Sequence, residues 1–469
     1  MDEAGRQIAG AVRQFAPSAG RCLVFFGKGH NGGDALVAAR HLAAAGWHIE
    51  LRPAFPAESW AELTARKHEQ LRTAMGRGID NGKRGQLLIV LDGLLGIGAG
   101  GKLREPIVGA TREINRLRTV ANAFIFAIDL PTGIDGDTGA ADRDAVVADF
   151  TLAISCAKRG LLADSATNHV GRLAVLPLSE LTKRFTGTAR EIVATAATLA
   201  PLLPRRRFDL HKGDCGRVGI VAGSSGFIGA AVMAAEACVH AGAGLVTLHV
   251  PPDVQLLVAA RVTPEVMVRA SRSFLEVLDL RYDALAIGPG LGAERREEIL
   301  ALIERASQPL VVDADALNLL SAQVDLLASC AGPRLLTPHP GEMARLDPTA
   351  PQRSRRATVE EFTSRLAVTL LLKGARTLIG VRGKPLSYNT TGTPGMASGG
   401  MGDVLTGVLA ALAGQGLELY DAARLGAWLC GRAAEIAITR DGESEESLSA
   451  THVIARLGAA FHDLRLGVC

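Results

Sequence analysis

Cys22-Leu23-Val24-Phe25-Phe26-Gly27-Lys28-Gly29-His30-Asn31-Gly32-Gly33-Asp34 reads as an apolar strand running straight into a glycine loop, with a helix following over about residues 36–45. A near-continuous apolar strand belongs to a parallel sheet covered by helices on both faces. Glycines let the backbone approach a ligand closely, and amides at a helix start favour phosphate. The stretch is neither a Walker loop nor Gly-x-Gly-x-x-Gly, so the generic nucleotide motifs do not describe it. Asp34 is placed to cap the helix or to hold a ribose hydroxyl.

The same pattern recurs outward from this stretch. Apolar runs at residues 87–91, 124–128, 218–222, 284–287 and 310–312 alternate with amphipathic stretches. That alternation predicts an α/β protein with parallel sheets. The chain has 469 residues, which predicts two or three domains. Pro201 and Pro204 with Arg205, Arg206 and Arg207 mark a linker, giving domains over about 1–200 and 205–469. No internal repeat is visible.

Lys plus Arg is 51 and Asp plus Glu is 48, a net charge of +3. Neither this balance nor the 4% of aromatics supports a nucleic-acid binder, and no membrane span or membrane partner is expected. Seven widely spaced cysteines without a Cys-x-x-Cys pair argue against a disulfide framework and for a reducing compartment. Met1-Asp2-Glu3 opens the chain without the basic and apolar regions of a signal peptide, so a cytoplasmic protein is expected.

Ligands in open α/β sheets bind at the carboxyl ends of strands. In the first half, two further strands end in polar residues. One gives Asp92, followed by Gly96, Ile97, Gly98, Ala99, Gly100, Gly101 and Lys102. The other gives Asp129-Leu130-Pro131-Thr132-Gly133. Asn31, Asp92 and Thr132 carry oxygens suited to a hard cation if the three ends converge. These segments, with Cys156-Ala157-Lys158-Arg159-Gly160, resemble the NAD(P)H-hydrate epimerase family over most of residues 1–200. The resemblance implies a Rossmann-like domain in which His30, Asn31, Gly32, Gly33 and Asp34 hold the hydrated dinucleotide. It implies that Gly96 to Lys102 embrace its phosphates, that Asn31, Asp92 and Thr132 bind K+, and that Asp129 is the acid–base group at C6. His30 stands where the family has Asn, Ile97 where it has Thr, and Thr132 where it has Ser.

The second half carries Gly223-Ser224-Ser225-Gly226-Phe227-Ile228-Gly229-Ala230-Ala231, Gly288-Pro289-Gly290-Leu291-Gly292, Asp313-Ala314-Asp315 and Thr337-Pro338-His339-Pro340-Gly341-Glu342. It ends in Lys373-Gly374-Ala375-Arg376-Thr377 and Gly399-Gly400-Met401-Gly402-Asp403. The last segment puts backbone amides at the start of an apolar helix, where they stabilise a transferring phosphoryl group. Asp403 at that mouth is a candidate proton acceptor. Together the segments resemble the ribokinase-like ADP-dependent NAD(P)H-hydrate dehydratases. The resemblance implies two three-layer domains in all, with Lys373, Gly374, Ala375, Arg376, Thr377 and Gly402 at the adenine nucleotide. Ala230 or Ala231, Gly290 or Gly292, His339 and Asp403 would contact the hydrate. Mg2+ and ADP as co-substrate are implied, as is a homo-oligomer. The alternative reading is a small-molecule kinase, for a vitamin precursor or sugar, fused to a non-catalytic nucleotide-binding domain.

Overall fold

Residues 1–76, 87–178 and 189–468 are described by the computed structural model, which divides into two compact units, Met1–Thr188 and Ala189–Val468. The first unit runs α1 (Asp2–Phe15), β1 (Arg21–Phe26), α2 (His30–Ala44), β2 (His48–Pro53), α3 (Glu62–Gly76), β3 (Leu88–Gly93), α4 (Ile107–Val120), β4 (Phe124–Ile128), β5 (Phe150–Ile154) and β6 (Arg172–Leu176). Its six strands are ordered β2-β1-β3-β4-β5-β6 and pair in parallel.

Side-chain alternation along β1 explains the three layers. Cys22, Val24 and Phe26 pack in one core with Ile8, Leu36 and Leu71 from α1, α2 and α3. Leu23 and Phe25 face the other way, toward Ile107 and Ile114 of α4. Successive strand residues point to opposite faces, so a strand apolar throughout feeds both cores.

One local expectation needs correction. The glycine-rich stretch is not a loop as far as Asp34, because α2 begins at His30 with Gly29 as its N-cap, and Asp34 lies inside the helix. Contact decides this. A side chain at Gly32 would put its Cβ 2.2 Å from the Gly27 carbonyl, so glycine lets the helix start close against β1.

The second unit contains β7 (Glu191–Val193), β8 (Arg217–Val221), α5 (Ile228–His240), β9 (Leu245–Val250), β10 (Val266–Ala270), β11 (Ala284–Ile287), α6 (Arg296–Arg305), β12 (Leu310–Val312), α7 (Ala314–Leu320), β13 (Arg334–Leu336), α8 (Pro340–Leu346), α9 (Arg355–Arg365), β14 (Thr369–Leu372), β15 (Leu378–Gly380), β16 (Leu386–Tyr388), α10 (Met401–Gly414), α11 (Leu419–Asp441) and α12 (Ala450–Leu466). The ten-stranded sheet is ordered β10-β9-β8-β11-β12-β13-β14-β15-β16-β7. It is parallel from β10 to β14 and antiparallel through β15 and β16, and β7 then pairs in parallel with β16.

Residues 191–193, placed in the first domain on sequence, are thus the edge strand of the second unit. The Tyr388 hydroxyl donates to Glu191 at 2.9 Å, and Arg356 pairs with Glu191 at 3.1 Å. The Pro- and Arg-rich stretch lies inside the second unit and does not divide the two. Six described cysteines are free thiols, and Cys469 lies outside the described residues. Among the described residues, no helix is long and apolar enough to cross a membrane.

Candidate active sites

Strand register brings the polar ends of the first unit together. Phe26 is level with Gly93, Asp92 with Ala127, and Ile128 with Leu152. The residues that follow therefore share one rim, beside the point where strand order reverses between β1 and β3. Thr132 is bound twice to Asp92, its amide donating to Oδ2 at 2.8 Å and its hydroxyl to Oδ1 at 2.7 Å. The Leu95 amide donates to Thr132 Oγ1 at 3.2 Å, and Asn31 Nδ2 donates to the Leu95 carbonyl at 2.8 Å and the Ile128 carbonyl at 3.2 Å. The three residues proposed from sequence as cation ligands form one hydrogen-bonded cluster.

Asp92 is fully buried, and its donors are the Thr132 hydroxyl and the Thr132 and Leu94 amides, none of them cationic. Burial raises its pKa to about 6, against the pull of these hydrogen bonds. Gly27 and Gly93 close the floor of the rim, since a Cβ at Gly27 would meet the Leu94 carbonyl at 1.9 Å. The segment 97–102 is exposed, Ile97 conspicuously so, while His30 is exposed at the start of α2. Asp34 is held well above the usual carboxylate range by burial, opposed by the Met1 amino group 3.9 Å away.

Asp129 follows β4 with φ of 69°. Its Oδ1 accepts the Ile154 amide at 3.0 Å and the ammonium of Lys158. In the sequence Lys158 stands only within the motif at residues 156–160, with nothing local to point to its partner. Its partner lies 29 residues earlier, on a neighbouring strand end.

The second unit repeats the device. Val221, Ile287, Val312 and Leu336 are level in the sheet, and the motif residues follow them. Asp313, after β12, is the hub: Oδ1 accepts the Thr337 hydroxyl and the Lys373 ammonium, each at 2.8 Å, and Oδ2 accepts the Thr406 hydroxyl at 2.8 Å. Lys373 also lies 3.8 Å from Glu342. Burial works against its charge, but Asp313 and Glu342 outweigh this and hold the lysine above its ordinary pKa. Burial raises Glu342, with Lys373 opposing.

Asp403 sits in the first turn of α10, whose N-cap Gly400 has φ of 90° and offers no side-chain cap. The first amides of the helix are therefore open to an anion. Burial first, and the Asp313 charge second, raise the Asp403 pKa to about 7, with Lys373 opposing. A Cβ at Gly402 would lie 3.4 Å from Lys373 Nζ and 3.5 Å from Asp313 Oδ2, which sets that glycine against the charged cluster.

Gly290 and Gly292 have φ of 61° and 69°, and the Gly292 amide donates to Asp315 at 2.9 Å. Ala231 is wholly buried under Gly223, which leaves the half-buried Ala230 as the one of the pair toward the rim. His339 is half exposed and caps α8, its Nδ1 accepting the Gly341 and Glu342 amides at 3.0 and 3.3 Å. Gly374 and Ala375 are exposed, whereas Arg376 is buried. Asp313, Thr337 and Thr406 were not singled out as site residues on sequence. The Asp313-Ala314-Asp315 motif at a strand end was the available signal.

Comparison with known proteins agrees with both halves. The profile of the family described as NAD(P)H-hydrate dehydratase matches residues 218–456, and that of the YjeF-related protein N-terminus matches residues 1–160. The bifunctional NAD(P)H-hydrate repair enzyme of Moorella thermoacetica is 37% identical over 474 aligned residues, covering 94% of this chain and 88% of that protein. The Coxiella burnetii counterpart is 33% identical, covering 94% and 91%. Among solved structures, an ADP/ATP-dependent NAD(P)H-hydrate dehydratase from Bacillus subtilis, co-crystallised with ATP and Mg2+, has a TM-score of 0.50 at 28% identity, covering 58% of this chain and 98% of that one. A ribokinase-like protein from Enterococcus faecalis has a TM-score of 0.52 at 27% identity, covering 58% and 96%. With a Rossmann-like sheet carrying one polar rim and a ribokinase-like sheet carrying another, the chain belongs to the bifunctional NAD(P)H-hydrate repair enzymes, the dehydratase family's profile lying within its second unit.

Proposed function

We propose that Asp403 is the base of the ADP-dependent dehydration. The observation that carries this is its position at the uncapped amino end of α10, beside the Lys373–Asp313 pair. Hydroxide is a poor leaving group from C6 of the hydrated ring. Asp403 takes the proton of the C6 hydroxyl, whose oxygen attacks the β-phosphorus of ADP, and AMP departs. The C6–O bond then breaks with an electron pair from the ring nitrogen, and phosphate leaves. Loss of a C5 proton from the resulting iminium restores the dihydropyridine. The amides of α10 hold the transferring phosphoryl oxygens, and Lys373 adds a positive charge to that mouth. The site's hard carboxylate oxygens suit a divalent cation arriving with the nucleotide, and magnesium there supplies charge neutralisation on the phosphoryl group. Gly374, Ala375, Arg376, Thr377 and Gly402 serve the adenine nucleotide, and Ala230, Gly290, Gly292 and His339 the hydrate.

In the first unit, Asp129 exchanges the proton of the C6 hydroxyl. As that proton leaves, C6=O forms and the C6–N1 bond opens. Its electron pair stays on N1, where the conjugated carboxamide takes up the charge. Closure on the other face reverses each transfer and yields the other epimer. His30, Asn31, Gly32, Gly33 and Asp34, with the 96–102 segment, hold the dinucleotide. A buried, uncompensated Asp92 carboxylate with amide and hydroxyl oxygens around it suits a large monovalent cation, so Asn31, Asp92 and Thr132 are assigned to K+. Such an ion supplies the positive charge this carboxylate lacks.

The test is to incubate the chain with pure (R)- or (S)-hydrate and ADP and to follow AMP and NAD(P)H. ADP-dependent return of NAD(P)H from (S)-hydrate, and faster consumption of (R)-hydrate than its spontaneous epimerisation allows, are expected. Accumulation of a phosphorylated product without NAD(P)H would instead identify a kinase.

A further inference from the structure

Asp129 and Lys158 meet through two unusual turns. After β4, the Leu130 amide donates to the Ile128 carbonyl at 2.9 Å, closing a γ-turn about Asp129 with its φ of 69°. After β5, the Cys156 amide donates to the Ile154 carbonyl at 2.8 Å, closing a second about Ser155 with φ of 67°. Non-glycine residues adopt this backbone sparingly, and it persists where the surroundings fix it. Here the two turns bring the Ile154 amide and the Lys158 ammonium onto the same oxygen, Oδ1 of Asp129.

Lys158 Nζ also donates to the Ile154 carbonyl at 3.1 Å and the Cys156 carbonyl at 3.2 Å. An ammonium has three N–H bonds, and these contacts use all three. Lys158 therefore acts through Asp129 and does not reach the substrate itself. The pair is mostly buried, with side chains 15% and 12% exposed, so the ammonium acts on the carboxylate with little screening by water. A charged group of like sign, Asp34 of α2, interacts with Asp129, and Asp34 in turn faces the Met1 amino group and Asp2.

We propose that Lys158 is a positioning residue for the epimerisation: it pins Oδ1 of Asp129 and sets its positive charge against that carboxylate, leaving Oδ2 to take the proton of the C6 hydroxyl. This rests on the assignment of Asp129 as the acid–base group. The experiment uses the full chain with carboxyl-13C aspartate, as wild type, Lys158→Met and Lys158→Arg. It reads the Asp129 titration by NMR, with Asp129→Asn to identify the signal, together with the pH profile of epimerisation. In Lys158→Met, the Asp129 midpoint and the acid limb of the profile should both rise by about one pH unit or more. Epimerisation near pH 6 should fall about tenfold. Dehydration of (S)-hydrate by the same chain should be unchanged, and amide NMR signals of the first unit that match wild type away from residues 129 and 158 report that the variant is folded. Lys158→Arg should stay within about threefold of wild type. An unmoved Asp129 midpoint in Lys158→Met overturns the proposal, and so does a Lys158→Arg variant as slow as Lys158→Met. If wild type epimerised no faster than an enzyme-free control, the role given to Asp129 would fail, while the NMR midpoint would still decide whether Lys158 sets its charge.

Discussion

Lys373 and Asp313 lie 60 residues apart in sequence and 2.8 Å apart in space, joining the end of β14 to the end of β12 beside the amino end of α10. The lysine also feels Asp403, and Asp403 feels both members of the pair. These three charges come from three separate elements, and Glu342 beside Lys373 and Asp315 near Asp403 add to the balance at this mouth.

Asp403→Asn should abolish dehydration while leaving ADP binding near wild type, because the amide keeps the shape and loses the proton acceptor. In the wild-type enzyme, burial and Asp313 place the Asp403 pKa at about 7. A base works only when deprotonated, so kcat/KM for (S)-hydrate should fall as pH drops through 7. A profile flat from pH 5 to 8 would count against Asp403 as the base.

Asp313→Asn should lower stability by about 3 kcal/mol, the typical cost of leaving one partner of a buried ion pair alone. It should also shift the acid limb of the dehydratase profile to lower pH, since the lost negative charge was raising Asp403. Thermal melting and the pH–rate profile read the two effects separately. A limb that moved upward would contradict the electrostatics.

Potassium at ten times its Kd should raise the melting temperature of the first unit by roughly 3–6 °C near pH 7.5. The sign with pH follows from Asp92, whose folded pKa of about 6 lies above its unfolded value. That shift destabilises the fold progressively as pH rises from about 4 to about 6, and fully above. The cation offsets this cost, so its stabilising effect should shrink below pH 6 and vanish in Asp92→Asn. An equal effect in Asp92→Asn would move the ion elsewhere.

A chain beginning at Ala189 should keep dehydratase activity, whereas one beginning at Arg205 should melt earlier and aggregate. The second cut removes β7, strips Tyr388 and Arg356 of Glu191, and bares the edge of β16. Light scattering and thermal melting of the two pieces check this.

The strand ends and their glycines were legible because they obey a local rule, an apolar run followed at once by residues that suit a turn. His30 to Asp34 and Gly399 to Asp403 are contiguous, and their chemistry can be read without knowing their neighbours. Asp129–Lys158 and Asp313–Lys373 were not legible, since each pair is made by strand order and register. β7 and β16 have three residues each, too few for a period to register. The choice between Ala230 and Ala231 depended on which face of α5 lies under Gly223. The extent of α2 depended on how closely it docks on Gly27.

α10 is buried on every side from Val404 to Gly414, and Thr406 within it is fastened to Asp313. A helix gripped this way is held in place, so in the role proposed for it its amino end would meet the reacting phosphate without shifting during the reaction. Little reorganisation is then needed as charge develops at the mouth. The same grip leaves adaptation little room on the helix. New substrate tolerance or regulation of dehydration would have to enter through the exposed side of the mouth, at Ser398 and Gly399, where the chain can change without disturbing the packing behind it.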